Sequence, residues 1–197
     1  MTPDLLLALA LFCAATLFTP GPNNVMLMAS GANFGLRRSV PHLTGVAFGF
    51  PLMTIPVGLG VMQLFDLWPP AQIILRAVSV VYMLWLAWKI AHAAPPKDRE
   101  AEARPLTFVQ AAAFQWVNPK AWSMAFGAVT LYATGRDLPA ILWVAGSFLA
   151  LGTLSALTWV TLGTWVRGFL ANPDRLRVFN WTMAGLLIAS MVPVLFL

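Results

Sequence analysis

The chain has 197 residues, 59% of them hydrophobic and only 10% charged, where an average soluble domain carries about 25% charged residues. It therefore reads as an integral membrane protein, with several apolar stretches longer than the roughly 18 residues that mark a candidate span. The net charge of +5 is scattered through short loops rather than gathered on a face, which excludes a nucleic-acid surface and leaves topology as the use of the cations.

Six spans are expected, at residues 5–29, 41–64, 70–93, 106–133, 139–166 and 178–195. Met1-Thr2-Pro3-Asp4 has no positive leader, so the first run is read as a retained span. Cys13, the single cysteine, lies within it as a small apolar side chain. The same span contains Phe18-Thr19-Pro20-Gly21-Pro22-Asn23-Asn24. Two prolines around a glycine cannot continue a helix, and broken backbone at membrane depth is tolerated only where protein buries it or where it lines a wet cavity. Asn23 and Asn24 follow at once with donors and acceptors for such a place.

Span two carries Gly45-Val46-Ala47-Phe48-Gly49, echoed in span five by Gly146-Ser147-Phe148-Leu149-Ala150. Both are small-xxx-small patterns, suited to close helix packing or to a sliding face. They leave open whether such faces pack within the monomer or form a homodimer. Between spans three and four, residues 94–105 form a proline-bounded, mixed-charge linker. The chain then divides into a first three-helix repeat at 1–93, a cytoplasmic linker at 94–105 and a second repeat at 106–197.

Span four holds the second break, Val117-Asn118-Pro119-Lys120-Ala121-Trp122. Interrupted helices in corresponding positions of two halves are the best sequence pointer to a transporter site, and Pro20 and Pro119 stand about half the chain apart. Lys120 is the one cation near mid-membrane. A lysine there costs about 2.5–3.5 kcal/mol on insertion scales, so it should face a wet cavity or a partner. It has two uses, holding carbonyls freed at Pro119 or attracting a substrate carboxylate. Tyr82, Gln115, Trp116 and Trp122 are further candidates for lining the pocket.

Three spans per half oblige the second half to enter the membrane in the opposite sense, an inverted repeat. Loops after spans one, three and five hold nine cations; the other side holds only Arg76 and Arg136. The positive-inside rule then makes the odd loops cytoplasmic and puts both termini on the periplasmic side. No phosphate-binding loop, nucleophile–base pair or metal-ligand cluster is present, so the chain is not read as an enzyme and calls for no cofactor or metal. His42 and His92 are read as interfacial anchors. No carboxylate lies at mid-depth, which leaves Lys120 as the titratable candidate for ion coupling.

These motifs in this order resemble a known family. Thr19-Pro20-Gly21-Pro22-Asn23-Asn24, then Ser30-Gly31-Ala32-Asn33-Phe34-Gly35-Leu36-Arg37-Arg38-Ser39, Gly45-Val46-Ala47-Phe48-Gly49 and Asn118-Pro119-Lys120-Ala121 are similar to the LysE/RhtB (lysine exporter and homoserine/threonine resistance) amino-acid efflux family. The chain departs from that pattern in lacking an acid after Pro-Gly-Pro and in reading Ser79-Val80-Val81-Tyr82-Met83-Leu84 in span three. The resemblance implies export of amino acids or small zwitterions across the bacterial inner membrane. The expected architecture is all-α, with six transmembrane helices as two inverted three-helix repeats in which helices one and four are broken. Pro20, Gly21, Pro22, Asn23, Asn24, Asn118, Pro119 and Lys120 are expected to form the substrate site. Export of another small metabolite or ion, or a non-transporting scaffold, are the alternatives.

Overall fold

Proline and glycine placement sets where the chain turns. The computed structural model describes residues 2–61, 63–68, 70–93, 104–133 and 137–190, and every regular element among them is helical. Helix α1 (Pro3–Phe18) ends where Pro20 drives Thr19 into an extended conformation with ψ 144°. Helix α2 (Pro22–Phe34) restarts with Pro22 in its first turn, where no amide is missed. The two are bent by 56° and together are long and apolar enough for one broken span.

Gly35, at φ 77°, turns the chain into α3 (Leu36–Pro56). This helix begins before the expected start at residue 41 and takes Pro41 and Pro51 into its interior. Past Pro56 it widens into a π-type turn at Val57–Val61, with Gly60 at φ 108°, and then the short α4 (Gln63–Leu67). Helix α5 spans Pro70–Ala91. The second expected break is also present. Helix α6 (Phe108–Phe114) ends in a 3₁₀ turn at Gln115–Val117, and α7 (Pro119–Tyr132) restarts after it. The 29-residue α8 (Leu138–Val166) and α9 (Pro173–Ala189) complete the chain. Most of the expected linker, residues 94–103, lies outside the described residues, as do residues 191–195 of the expected sixth span.

Helix α8 is the central strut, packed against α1, α2 and α3, while α3 also packs on α6 and α5 on α9. One apolar core joins Leu9, Cys13, Phe50, Met53, Ala125 and Phe148. A second joins Met26, Met83, Leu86, Phe114 and Leu187. Only 22% of the most apolar window of α5 is buried, against 50% for α3. Helix α5 therefore presents most of its apolar surface outward, as a lipid-facing helix does.

Two seams have no room for side chains. A Cβ on Gly31 would strike the Val160 carbonyl, and one on Gly163 the Met28 carbonyl, so α2 and α8 touch backbone to backbone. A Cβ on Gly45 would lie 2.5 Å from the Phe108 carbonyl oxygen, and one on Gly49 2.5 Å from Ala112 Cα, so α3 meets α6 in the same way. Gly146, the expected echo of Gly45, has nothing within 4 Å of the position its Cβ would take. The likeness between the two sequence patterns does not extend to their packing. By length and composition α3 with its π turn, α5, α8 and the bent α1–α2 pair can cross a bilayer.

Candidate functional site

A helix break strands carbonyl groups, and the first question is what satisfies them. At the first break the donors come from three elements. The Asn24 carboxamide, on α2, donates to the Leu17 carbonyl at 2.7 Å and the Thr19 carbonyl at 2.8 Å. Ser155 Oγ, on α8, donates to the Leu17 carbonyl at 2.8 Å. Lys120 Nζ, from the second break, donates to Thr19 Oγ1 at 2.8 Å, to the Thr19 carbonyl at 3.1 Å and weakly to the Pro20 carbonyl at 3.5 Å. The lysine thus holds carbonyls, but those of the opposite break rather than its own. Gly21 makes this approach feasible, since a Cβ there would stand 2.8 Å from Lys120 Cδ and 2.9 Å from Nζ.

The second break is closed mainly by its own residues. Asn118 Oδ1 accepts from the Lys120 amide at 3.1 Å and caps α7, whose first residue is Pro119. Trp122 Nε1 donates to the Trp116 carbonyl at 2.9 Å. One further link crosses between the breaks. Asn23 and Gln115 form a reciprocal carboxamide pair, Nδ2 to Oε1 at 2.8 Å and Nε2 to Oδ1 at 3.1 Å, and Gln115 also donates to the Ala111 carbonyl at 2.9 Å.

Around these groups lies a cavity with about 40 Å³ open to water centres, room for roughly three waters at ~10–15 Å³ each. Gly21, Asn23, Asn24, Asn118 and Lys120 line it on the polar side, and Phe50, Met124 and Phe148 are among its apolar walls. Of the expected site residues these five polar-side positions therefore converge, with Pro20, Pro22 and Pro119 shaping the backbone that carries them. Gln115 joins through Asn23 without lining the cavity.

The aromatic candidates stand elsewhere. Trp116 is 39% exposed and packs edge-on against Trp122, which in turn meets Phe65. Tyr82 packs on Phe114 and Trp85 and borders an outer hollow on α5. Sequence reasoning passed over Thr16, Leu17 and Ser155, which line the cavity, and Thr19, whose oxygens hold Lys120. Ser155 is one of six hydroxyl residues along α8, so nothing in the sequence singled it out, and for the carbonyl of Leu17 there was no signal either. His42 is enclosed by protein rather than turned outward as an anchor. It is 2% exposed and bonded through Nδ1 to Ser30 Oγ at 2.9 Å.

The arrangement offers one ammonium whose contacts are all neutral oxygens, beside carbonyls that could accept from a cation. No group of three or more potential metal-binding side chains occurs among the described residues.

The model of the LysE type translocator family matches residues 14–195. A cysteine/O-acetylserine efflux protein of Escherichia coli O139:H28 is 32% identical over 200 residues, covering 100% of both chains. Its namesake in Klebsiella pneumoniae is 30% identical over 197 residues and 98% of each chain. That of Escherichia coli K12 is 33% identical over 167 residues, 83% of this chain and 84% of its own. No solved structure matches. Two broken helices meeting at a polar cavity, in a chain matched along almost its whole length, belong to a transporter and not an enzyme: this protein is a member of the LysE type translocator family.

Proposed function

We propose that this chain is a secondary active exporter of amino acids or closely related small zwitterions across the bacterial inner membrane, with its site between the two helix breaks. The observation that carries the reading is the Lys120 ammonium resting on the Thr19 oxygens across the cavity. A substrate carboxylate would exchange those neutral acceptors for a charged one, a stronger class of hydrogen bond. The substrate ammonium would then take the freed Thr19 and Pro20 carbonyls. Lysine is disfavoured as cargo because no acid among the described residues lines the cavity to meet its side chain. The relatives are named for cysteine and O-acetylserine, both small zwitterions with uncharged side chains.

The cavity of about 40 Å³ is too small for such a solute, so binding requires the two breaks to part. Alternating access supplies that movement. In this reading the six helices form two inverted three-helix repeats, at 1–93 and 106–197 around the 94–105 linker, with both termini periplasmic.

The test is efflux from proteoliposomes loaded with labelled cysteine, O-acetylserine, serine, threonine or lysine. Lys120→Met should lower transport of the neutral zwitterions about ten- to a hundredfold, the factor expected from losing a charge-assisted bond of roughly 1.5–3 kcal/mol. Undiminished efflux from folded Lys120→Met would remove the lysine from the site. No efflux of any of the five from the unaltered chain would end the amino-acid reading.

A further inference from the structure

A glycine inside a helix needs a reason, because it frees the unfolded backbone and adds no side chain to the packing. For most of the described glycines the reason is on view. A Cβ on Gly31, Gly45, Gly49 or Gly163 would strike a neighbouring helix backbone, and Gly35 and Gly60 adopt positive φ. Gly146, Gly168 and Gly185 are exposed, with open space around them. Gly152 belongs to none of these groups. It is buried within α8, yet a Cβ there would meet, beyond its own helix backbone, only Leu17 Cδ2 at 4.0 Å. Neither a close approach nor a positive φ calls for glycine at this position.

The space beside Gly152 is the cavity between the helix breaks. Gly152 lines it, with Phe148 one turn earlier on α8 and Ser155 one turn later. Phe50 meets Phe148 edge to face, ring centroids 4.7 Å apart, and the two form an apolar wall next to the gap. The opposite neighbour, Leu17, stands two residues before Thr19, whose oxygens hold Lys120. The gap is therefore adjacent to the groups that would hold a zwitterion's carboxylate and ammonium. Ser155 Oγ donates its hydrogen to the Leu17 carbonyl at 2.8 Å, which leaves the hydroxyl oxygen free to accept. Lys120 is the single charged residue among those lining the cavity.

We propose that Gly152 is a specificity-determining residue of this exporter: the gap left by its missing side chain receives the substrate's side chain and limits it to short, uncharged ones. This deepens the exporter reading and rests on it. The wall of Phe50 and Phe148 favours an apolar stem, and Ser155 accepts from a hydroxyl or thiol at its tip. A charged tip would be stripped of water against the aromatic rings with no ion to pair with, which excludes it. Helix α8 touches α2 backbone to backbone at Gly31 and Gly163, so the wall at Gly152 stays in register with Asn24 when the breaks part. Glycine at 152 is then kept for what enters the cavity and not for what packs the helices.

The proteoliposome panel tests this by comparing solutes within one variant, so that differences in folding and insertion cancel. Gly152→Ala should lower efflux of O-acetylserine, which has the longest uncharged side chain of the five, about tenfold or more relative to serine, the factor one methyl group commands in a closed apolar pocket. Gly152→Val should extend the loss to threonine and cysteine. Gly146→Ala, on the exposed face of the same helix, should leave the ratios unchanged. An equal fall for all four neutral solutes would make Gly152 a packing or bending position, and unchanged ratios would leave the gap unused; either result overturns the proposal. A second measurement reads the gap directly. The chain has one cysteine, Cys13, so Gly152→Cys in a Cys13→Ser background carries a single thiol. A small water-soluble thiol reagent should label it, and serine, short enough to fit beside the new side chain, should slow the labelling where lysine does not. A thiol that stays unlabelled in the folded protein, or one that serine leaves unprotected in a variant that still exports serine, overturns the subsite and spares the exporter reading. An unprotected thiol in a chain whose unaltered form exports none of the five would sink that reading and the subsite with it.

Discussion

The two helix breaks use the same proline chemistry and reach opposite solutions. At the first, prolines on both sides of Gly21 leave the chain extended, and its stranded carbonyls are held by Asn24 of the same motif and, from outside, by Ser155 and Lys120. At the second, a 3₁₀ turn and the Asn118 cap close the backbone with local bonds. The first break is consequently a cluster of acceptors that depends on its neighbours. The second is a rigid mount that presents a donor. A break that satisfies itself can hold a charge still; a break that borrows its partners can exchange them. The seating differs as well. The second half of the first broken helix is fixed to α8 at Gly31 and Gly163, whereas the first half of the second is fixed to α3 at Gly45 and Gly49.

The comparison can be broken at several points. Gly163→Val should have the largest effect, about 3 kcal/mol of stability, because its side chain would meet the Met28 carbonyl on α2 and the helices would have to separate. Gly146→Ala, placed in open space on the same α8, should leave the unfolding midpoint in detergent unchanged; equal losses from both variants would contradict the seam. Asn24→Leu should cost about 2 kcal/mol by removing two hydrogen bonds. Leu17 and Thr19 would each still have a donor, Ser155 and Lys120 respectively.

That residual sharing makes the next prediction. Lys120→Met should destabilise the Asn24→Leu protein by about 1 kcal/mol more than it destabilises the unaltered chain, since only in the double variant does the Thr19 carbonyl lose both donors. Simple additivity would mean the first break is not held from outside. Smallest is Asn118→Ala, about 1 kcal/mol for a lost helix cap. If it proved costlier than Asn24→Leu, the second break would be the dependent one.

Much of this was legible because the signals are local. Pro-Gly-Pro and Asn-Pro-Lys announce interrupted helices by missing amides and ring clashes, whatever surrounds them, and both interruptions are where expected. Asn23, Asn24, Asn118 and Lys120, singled out from those motifs, line one cavity. Trp116 and Trp122 were drawn to the pocket by proximity in sequence and Tyr82 as a further candidate from span three, but helix rotation decides direction, and it turns Trp116 toward the exterior and Tyr82 against Phe114. Pro41 was taken as a helix start; instead Gly35 makes the corner and the proline falls within α3. The Gly45 and Gly146 patterns look alike because spacing is visible in a sequence, while the partner backbone that gives a glycine its purpose is not. His42 was misplaced for the same reason.

By itself, then, the sequence determined the apolar composition, the all-helical class and the two breaks, since each follows from hydropathy or from backbone geometry within a few residues. Only the tertiary structure decided that Lys120 reaches the oxygens of Thr19, that Gln115 pairs with Asn23 and that Ser30 and His42 are enclosed between α2 and α3. Those contacts join residues on different helices, in most cases about ninety or more positions apart, and at that separation chain connectivity places almost no constraint on which atoms meet. Packing does, through the two glycine seams that bring the helix backbones together.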